Sequence, residues 1–444
     1  MVTNSTGSPR AGREREVDVV IVGGGMVGAS FALALAGTGL EVMMIEGVAP
    51  GTGAQPSFDD RTTALGNASR RIFDSLGVWG DIAPAAAAIR TIHVSDAGRF
   101  GFARLNASEQ GIDAFGYVVT NRVIGAALWA KLAKAEGITM RAPARAENVE
   151  IAADGVRLTV VSDGAAPEVV SAKLIVAADG AHSSVRTAAG IEASVEDYDQ
   201  VAIAANLAAD RPHDGTAYER FTPTGPLALL PLHDGSYGVV WSAAPAEATR
   251  LLALDDVKFL NELQTRFGWR AGRFTRVGRR ASYPLKLTRA ASIVSRRAVL
   301  IGNAAQALHP VAGQGFNLGL RDAAMLAEVL ASATATASGA GEAPRTSNAA
   351  AAAKSASLDI GGDVGDATLL KRFEEWRLGD RGGVIRFTDG LIKLFGDTRP
   401  GMGLARNFGL LLFDLTPPAK SALARVSAGF AGPTPRLARG LGVR

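Results

Sequence analysis

The sequence predicts an α/β protein: a Rossmann-type dinucleotide-binding domain, interrupted by a mixed β-sheet domain and followed by a C-terminal helical region. Three observations predict it. A short β-branched run, Val17 to Val22, leads through the glycine turn Gly23 to Gly28 into an apolar helix. Far downstream, the strand Ala298 to Ile301 leads through a second glycine-rich loop into another helix. Between them lie strand-like runs at Val201–Leu207, Leu227–Pro231 and Tyr237–Trp241, separated by Pro, Gly and Asp turns.

The first unit is βαβ. After the turn, Ala29 to Ala36 reads as a helix closed by Gly37, and a second strand runs from Val42 to Ile45 and ends in Glu46. Gly23, Gly25 and Gly28 form GxGxxG in the context that gives the pattern meaning, between a strand and a helix. The first glycine permits the tight turn, the second lets backbone approach a pyrophosphate, and the third lets helix and strand pack closely. The unpaired N–H groups of the helix start, at Met26 and Val27, then face the phosphate charge. Glu46 is placed to accept hydrogen bonds from ribose hydroxyls.

The middle of the chain predicts a mixed or antiparallel sheet, with a helix over Val257 to Phe267. At the second glycine-rich segment, Gly302 and Asn303 occupy a turn, and a helix is expected to start near Asn317. Such a helix start can stabilise an anion. Residues 331–367 are mostly Ala, Ser, Thr and Gly, too poor in bulky apolar side chains to fold alone, and predict a flexible insertion.

Composition excludes several classes. The chain has 444 residues, a net charge of +4 and no Cys, which removes disulfide frameworks, thiol nucleophiles, Fe–S clusters and Cys-ligated zinc. Redox chemistry would have to come from a cofactor. The histidines lack metal-ligand spacing, so no metal is expected, and no basic patch with aromatic platforms points to nucleic acid. Ser183 and Ser184 lie outside any GxSxG elbow, which argues against a hydrolase. Residues 401–444 carry Arg406, Lys420, Arg425, Arg436, Arg439 and Arg444 against Asp414 alone, beside the apolar run Phe408 to Phe413. That pattern suits peripheral contact with anionic lipid and equally a solvated helix on a soluble enzyme. The polar segment Met1 to Glu16 lacks the apolar core of a secretory signal and is expected to be a loose tail.

The chain resembles the flavin-dependent aromatic hydroxylases with the fold of para-hydroxybenzoate hydroxylase. GxGxxG with Glu46, the pair Asp179-Gly180 after the strand Leu174 to Ala177, and the segment Gly302 to Asp322 carry the resemblance. It is closer to the ubiquinone-biosynthesis branch, through Phe58-Asp59-Asp60-Arg61, Ile92 to Asp96, Tyr117 to Arg122 and Gly225 to Pro231. Most of the wider family has Gly-Asp where this chain has Gly302-Asn303, and His where it has Gln306. That departure resembles the polyprenyl-methoxyphenol hydroxylase subgroup.

The resemblance implies FAD, O2 and either NAD(P)H or another electron donor. It implies hydroxylation of a polyprenylated phenol through a C4a-hydroperoxide of the reduced flavin. Pro310, Gly313, Gln314 and Gly315 would form the oxygen-reacting side of the flavin. Arg61, Asn121 and Arg122 would contact its phosphate or ribityl region, and Asp179 would border the dinucleotide cleft. Gly302, Asn303, Phe316 and Asn317 would complete the cofactor contacts. His309 is weighed as a loop-shaping hydrogen bond against a direct catalytic role.

These readings divide the chain into a tail, 1–16; a discontinuous FAD-binding domain, 17–83, 117–197 and 298–395; a substrate sheet, 84–116 and 198–297; and helices from 396 to 444. The protein is expected in the cytoplasm, peripherally at the inner membrane and in a quinone-biosynthesis complex. Two rivals stand beside the hydroxylase: a flavin enzyme of the same fold acting on another aromatic or isoprenoid, and a non-catalytic FAD-containing subunit.

Overall fold

The computed structural model describes residues 14–49, 60–337, 362–397, 399–430 and 432–443. Most of the expected N-terminal tail, Phe58 and Asp59 of the branch motif, and residues 338–361 of the expected insertion lie outside them.

Three sheets organise the chain. The first has eight strands, with Glu168–Ala177, Arg15–Val22, Val42–Ile45 and Ile138–Arg141 side by side and parallel. Val19 to Ile21 and Met43 and Met44 are fully buried, as in strands covered on both faces by helices, which explains why these segments read as unbroken apolar runs rather than alternating ones. The helix Met26–Leu35 begins three residues earlier than expected, directly after Gly25.

The second sheet has nine strands. The long strand Ala193–Ala209 pairs antiparallel with Tyr237–Ala243 and Ala281–Ala290, whereas Thr216–Thr222 runs parallel to Thr91–Asp96. The sheet is therefore mixed. Helices Pro245–Leu252 and Asp256–Phe267 cover one face, burying Tyr237, Trp241, Phe259 and Leu263. Its other face carries Ile92, Ala217, Ala228, Leu230 and Val240 toward a cleft shared with the first sheet. A three-stranded sheet, Thr62–Gly66, Gly116–Thr120 and Ala87–Ile89, stands beside that cleft.

The helix after the second glycine loop spans Gln314–Ala337, not a start near Asn317, so Gly315 and Phe316 belong to its first turn. It also runs into the expected insertion: Ala331 and Ala333 are buried. At the far side Val364 is buried and Asp363 pairs with Arg297 at 2.8 Å, so these ends pack on the fold. Helix Ala367–Gly396 follows, then a hairpin of helices Met402–Asp414 and Pro417–Ser427.

Candidate active site

The two glycine turns line one cleft of about 1020 Å³, the upper end of the roughly 300–1,000 Å³ usual for small-molecule sites. Gly23, Gly25, Met26, Val27 and Glu46 lie along one part of it. Arg61, Asn121 and Asp179 also line it, as do Gly302, Asn303, Pro310, Gly313, Gly315 and Phe316. Four expected residues do not. Gly28 packs behind the turn, Gln314 and Asn317 are buried behind the loop, and Arg122 faces solvent, paired with Asp60 at 3.2 Å.

The first turn is built by close approach. Gly23 has φ +105°, and a Cβ there would collide with the Ala178 carbonyl; one on Gly28 would collide with the Gly23 carbonyl. No side chain caps the helix start, so its N–H groups are left for a ligand. Glu46 Oε2 accepts from Gly24 N at 2.6 Å and Oε1 from Val48 N at 2.9 Å, which fixes the carboxylate at the strand end. Trp129 Nε1 donates to the Gly24 carbonyl at 3.0 Å from behind. Pattern reading missed Trp129 because its helix is far off in sequence.

The second turn is held by Asp322. Its Oδ2 accepts from Gly302 N at 3.2 Å and from Gln306 Nε2 at 2.8 Å, while Arg381 Nε donates to Gln306 Oε1 at 2.5 Å. The departure from the family's His is therefore an amide that satisfies a carboxylate and a guanidinium at once. Gly319 brings the helix onto this turn: a Cβ there would lie 2.9 Å from Gly302 Cα and 3.0 Å from Val27 Cγ2. Asn317 spends its amide on structure, donating to the Ala64 and Gly313 carbonyls at 2.8 and 2.7 Å and accepting from Gly66 N and Ser69 Oγ.

Asp179 Oδ2 accepts from Ser184 N at 2.8 Å and Ser184 Oγ at 3.2 Å, but its Oδ1 is buried with no partner at the cleft wall. An orphaned carboxylate oxygen beside an uncapped helix start fits a ligand that brings hydroxyl groups as well as phosphate. Across the cleft, Thr63 Oγ1 donates to Asn121 Oδ1 at 2.6 Å, and the Arg61 guanidinium lies 5.4 Å from the Tyr283 ring centroid. Val48, Arg145 and His182 complete the lining beyond what motifs indicated.

His309 is buried. Its Nδ1 accepts from Val311 N at 3.1 Å, so Nε2 carries the hydrogen and donates to Gln200 Oε1 at 3.3 Å. This is the loop-shaping arrangement. Burial pushes its pKa down to about 4. His93, buried on the second sheet, is also lowered to about 4, by burial and then by Arg270, Arg104 and Arg220. Both imidazoles are neutral in the fold but protonate near pH 6.5 when unfolded. Their stability contribution is complete above pH 6.5 and is lost as pH falls toward 4. Each costs about 1.4 kcal/mol per pH unit in that window. Urea denaturation at pH 7 and pH 5 is expected to show this decline, and replacing His309 with Asn is expected to remove about half of it.

Comparisons with known proteins bear on this cleft. A family profile described as FAD binding domain matches residues 16–355. "Ubiquinone hydroxylase UbiL" of Rhodospirillum rubrum is 36% identical over 442 residues, covering 99% of this chain and 96% of that protein. "3-demethoxyubiquinol 3-hydroxylase" of Escherichia coli is 32% identical over 330 residues, covering 71% of this chain and 80% of that protein. Among solved structures, p-nitrophenol 4-monooxygenase PnpA of Pseudomonas putida superposes with a TM-score of 0.71 at 19% identity, covering 94% of this chain and 99% of that one. That likeness gives the aromatic-hydroxylase fold.

Proposed function

The chain belongs to the FAD binding domain family and, within it, to the FAD-dependent hydroxylases of ubiquinone biosynthesis; from that premise we propose that its substrate is a polyprenylated (methoxy)phenol whose ring is hydroxylated in the cleft between the two glycine turns. The observation that carries this reading is the shared cleft: both turns line one cavity, and a further wall of it is the sheet face Ile92, Ala217, Ala228, Leu230 and Val240, on which Glu219 also lies.

In this proposal the uncapped helix start at Gly25 to Val27 holds the pyrophosphate of FAD. Glu46 and Asp179 Oδ1 accept its ribose hydroxyls, Asn303 and Asn121 meet the ribityl chain, and Pro310 to Phe316 seat the ring system. Bound FAD supplies the activation of O2 and the oxygen transfer. The protein's own contribution is placement and exclusion of water. His309, neutral and tied to Gln200, joins the flavin loop to the substrate sheet, so that the ring on the sheet face is held against that loop. No residue of the loop carries a charge, which suits a site that must stay dry.

Purified protein is expected to be yellow, to release FAD, and to consume O2 with NAD(P)H faster when a 2-prenylphenol is added. Uptake stimulated by another aromatic but not by prenylphenols would remove the substrate assignment. A colourless protein that does not take up FAD would remove the site.

A further inference from the structure

Helix Met402–Asp414 presents an apolar stripe that nothing among the described residues covers. Leu404, Phe408, Leu412 and Leu415 are spaced by four, four and three residues and so share one face. They are 54%, 59%, 68% and 78% exposed, and Phe100, 63% exposed, meets Phe408 edge-on with ring centroids 6.3 Å apart. Single exposed leucines are ordinary, but five large apolar side chains in one strip mark an interaction surface. The helix is firmly attached by its other side. Asn407 is buried and its Oδ1 accepts from Gly101 N at 2.6 Å, and Asp414 Oδ1 accepts from Arg104 N at 2.8 Å.

Positive charge without an ion-pair partner stands at the strand to which this helix is tied. Arg104 and Arg270 both lie over the Phe102 ring, at 5.9 and 5.7 Å from its centroid, and Arg220 is close enough to Ser95 for a 3.4 Å contact. Among the described residues none of the three forms an ion pair. His93, beneath them, has both ring nitrogens buried and without partners. Two of the tail charges that the sequence emphasised are spent instead: Arg406 pairs with Asp96 at 3.3 Å and Lys420 with Asp414 at 2.8 Å. The free charge comes from the substrate sheet.

The inner side of the same hairpin closes the substrate cleft. Phe413, Leu423 and Ala424 pack into one cluster with Ile92, Ala217 and Leu230, and these last three line the cleft. A single helical layer thus separates the outer apolar stripe from the cleft's apolar end.

We propose that Phe100, the outer face of helix Met402–Asp414 and the Arg104, Arg220 and Arg270 group form the face by which the protein docks on an anionic lipid bilayer, with the hairpin as the side through which a phenol bearing an apolar tail passes into the cleft. No helix among the described residues is long and apolar enough to cross a membrane, so docking is peripheral. The leucines and phenylalanines enter the acyl boundary, and the arginines meet headgroup phosphates. The entry half of the proposal rests on the substrate reading above; the docking half does not.

The test is co-sedimentation of the full-length holoenzyme with vesicles of phosphatidylcholine alone or with phosphatidylglycerol added. Binding is expected with phosphatidylglycerol, falling with salt and not displaced by millimolar inorganic phosphate. Each arginine near the surface is worth roughly fivefold in partitioning, so R104Q/R270Q is expected to bind about 25-fold more weakly. F408D/L412D is expected to lose at least about tenfold, with FAD content and melting temperature unchanged. That variant should raise KM for a long-chain prenylphenol in vesicles while leaving turnover of a soluble short-chain prenylphenol intact. Wild-type protein that stays in the supernatant, or F408D/L412D that pellets as well as wild type, overturns the proposal. So does a wild-type dimer that F408D/L412D dissociates, which would assign the face to a second copy of the chain. If neither phenol is hydroxylated, the substrate reading fails, and the vesicle result still decides docking.

Discussion

The variant Gly28→Ala is expected to purify without flavin. The Cβ it introduces would collide with the Gly23 carbonyl, a rigid backbone atom. Gly23 has no freedom to yield, because it sits at φ +105° against the Ala178 carbonyl and its own N–H is bound to the Ile45 carbonyl at 2.8 Å. The turn must therefore open away from the strand, carrying the N–H groups of Met26 and Val27 off the line of the phosphates. Overpacking of this kind costs about 1–3 kcal/mol of stability. The larger effect falls on the cofactor: FAD binding is expected to weaken at least about 100-fold, near 2.7 kcal/mol. Fluorescence titration of apoprotein with FAD measures it, with circular dichroism as the control for folding. Retention of wild-type affinity in a folded Gly28→Ala protein would mean that this turn is not where FAD sits.

The second large effect is expected at a residue remote from the cofactor. Arg377 is fully buried and donates from Nε to Asp322 Oδ1 at 2.6 Å and from Nη1 to Asp380 Oδ2 at 2.5 Å; Arg321 Nε donates to the same Asp380 oxygen at 3.0 Å. Burial opposes the charge on Asp380, but Arg321 and Arg377 outweigh it and hold its pKa below the ordinary value. Replacing Arg377 with Leu leaves two buried carboxylates sharing what remains. Breaking a buried pair on one side costs about 3–5 kcal/mol, which in a chain of this length should lower the melting temperature by roughly 3–5 °C. Asp322 also holds Gly302 N and Gln306, so the second turn loosens and FAD affinity falls with stability. The double variant R377L/D380L, which removes a charge from each side, should recover part of the loss. A single variant as stable as wild type would show that the network does not support the turn.

Local sequence carried the first turn well because its information is backbone geometry: GxGxxG at a strand end admits few conformations, and Gly23 and Gly28 are excluded from being anything else by main-chain atoms. The second turn was also legible, yet its helix starts at Gln314 because Gly313, at φ +59°, already redirects the chain there. What holds that turn was not legible. Arg377 and Asp322 come from helices separated by the low-complexity segment, and nothing in the composition of either helix distinguishes a buried arginine from a solvated one. Asn121 and Arg122 illustrate the same limit on one dipeptide. They are adjacent in sequence, but the helix turns one into the cleft and the other toward Asp60. Likewise the spacing of Leu404, Phe408 and Leu412 indicates a common face, but whether a face is core or surface depends on partners that only the tertiary structure supplies.

The central step is flavin-dependent insertion of oxygen into a phenol ring at the shared cleft. Its most direct test is the mass of the product formed by holoenzyme, NAD(P)H and a 2-prenylphenol under isotopically heavy O2. The expected product is a hydroxylated ring carrying one heavy oxygen atom from the gas, made by wild type and not by Gly28→Ala. A product whose added oxygen comes from water, or phenol recovered unchanged while O2 is consumed, would contradict it.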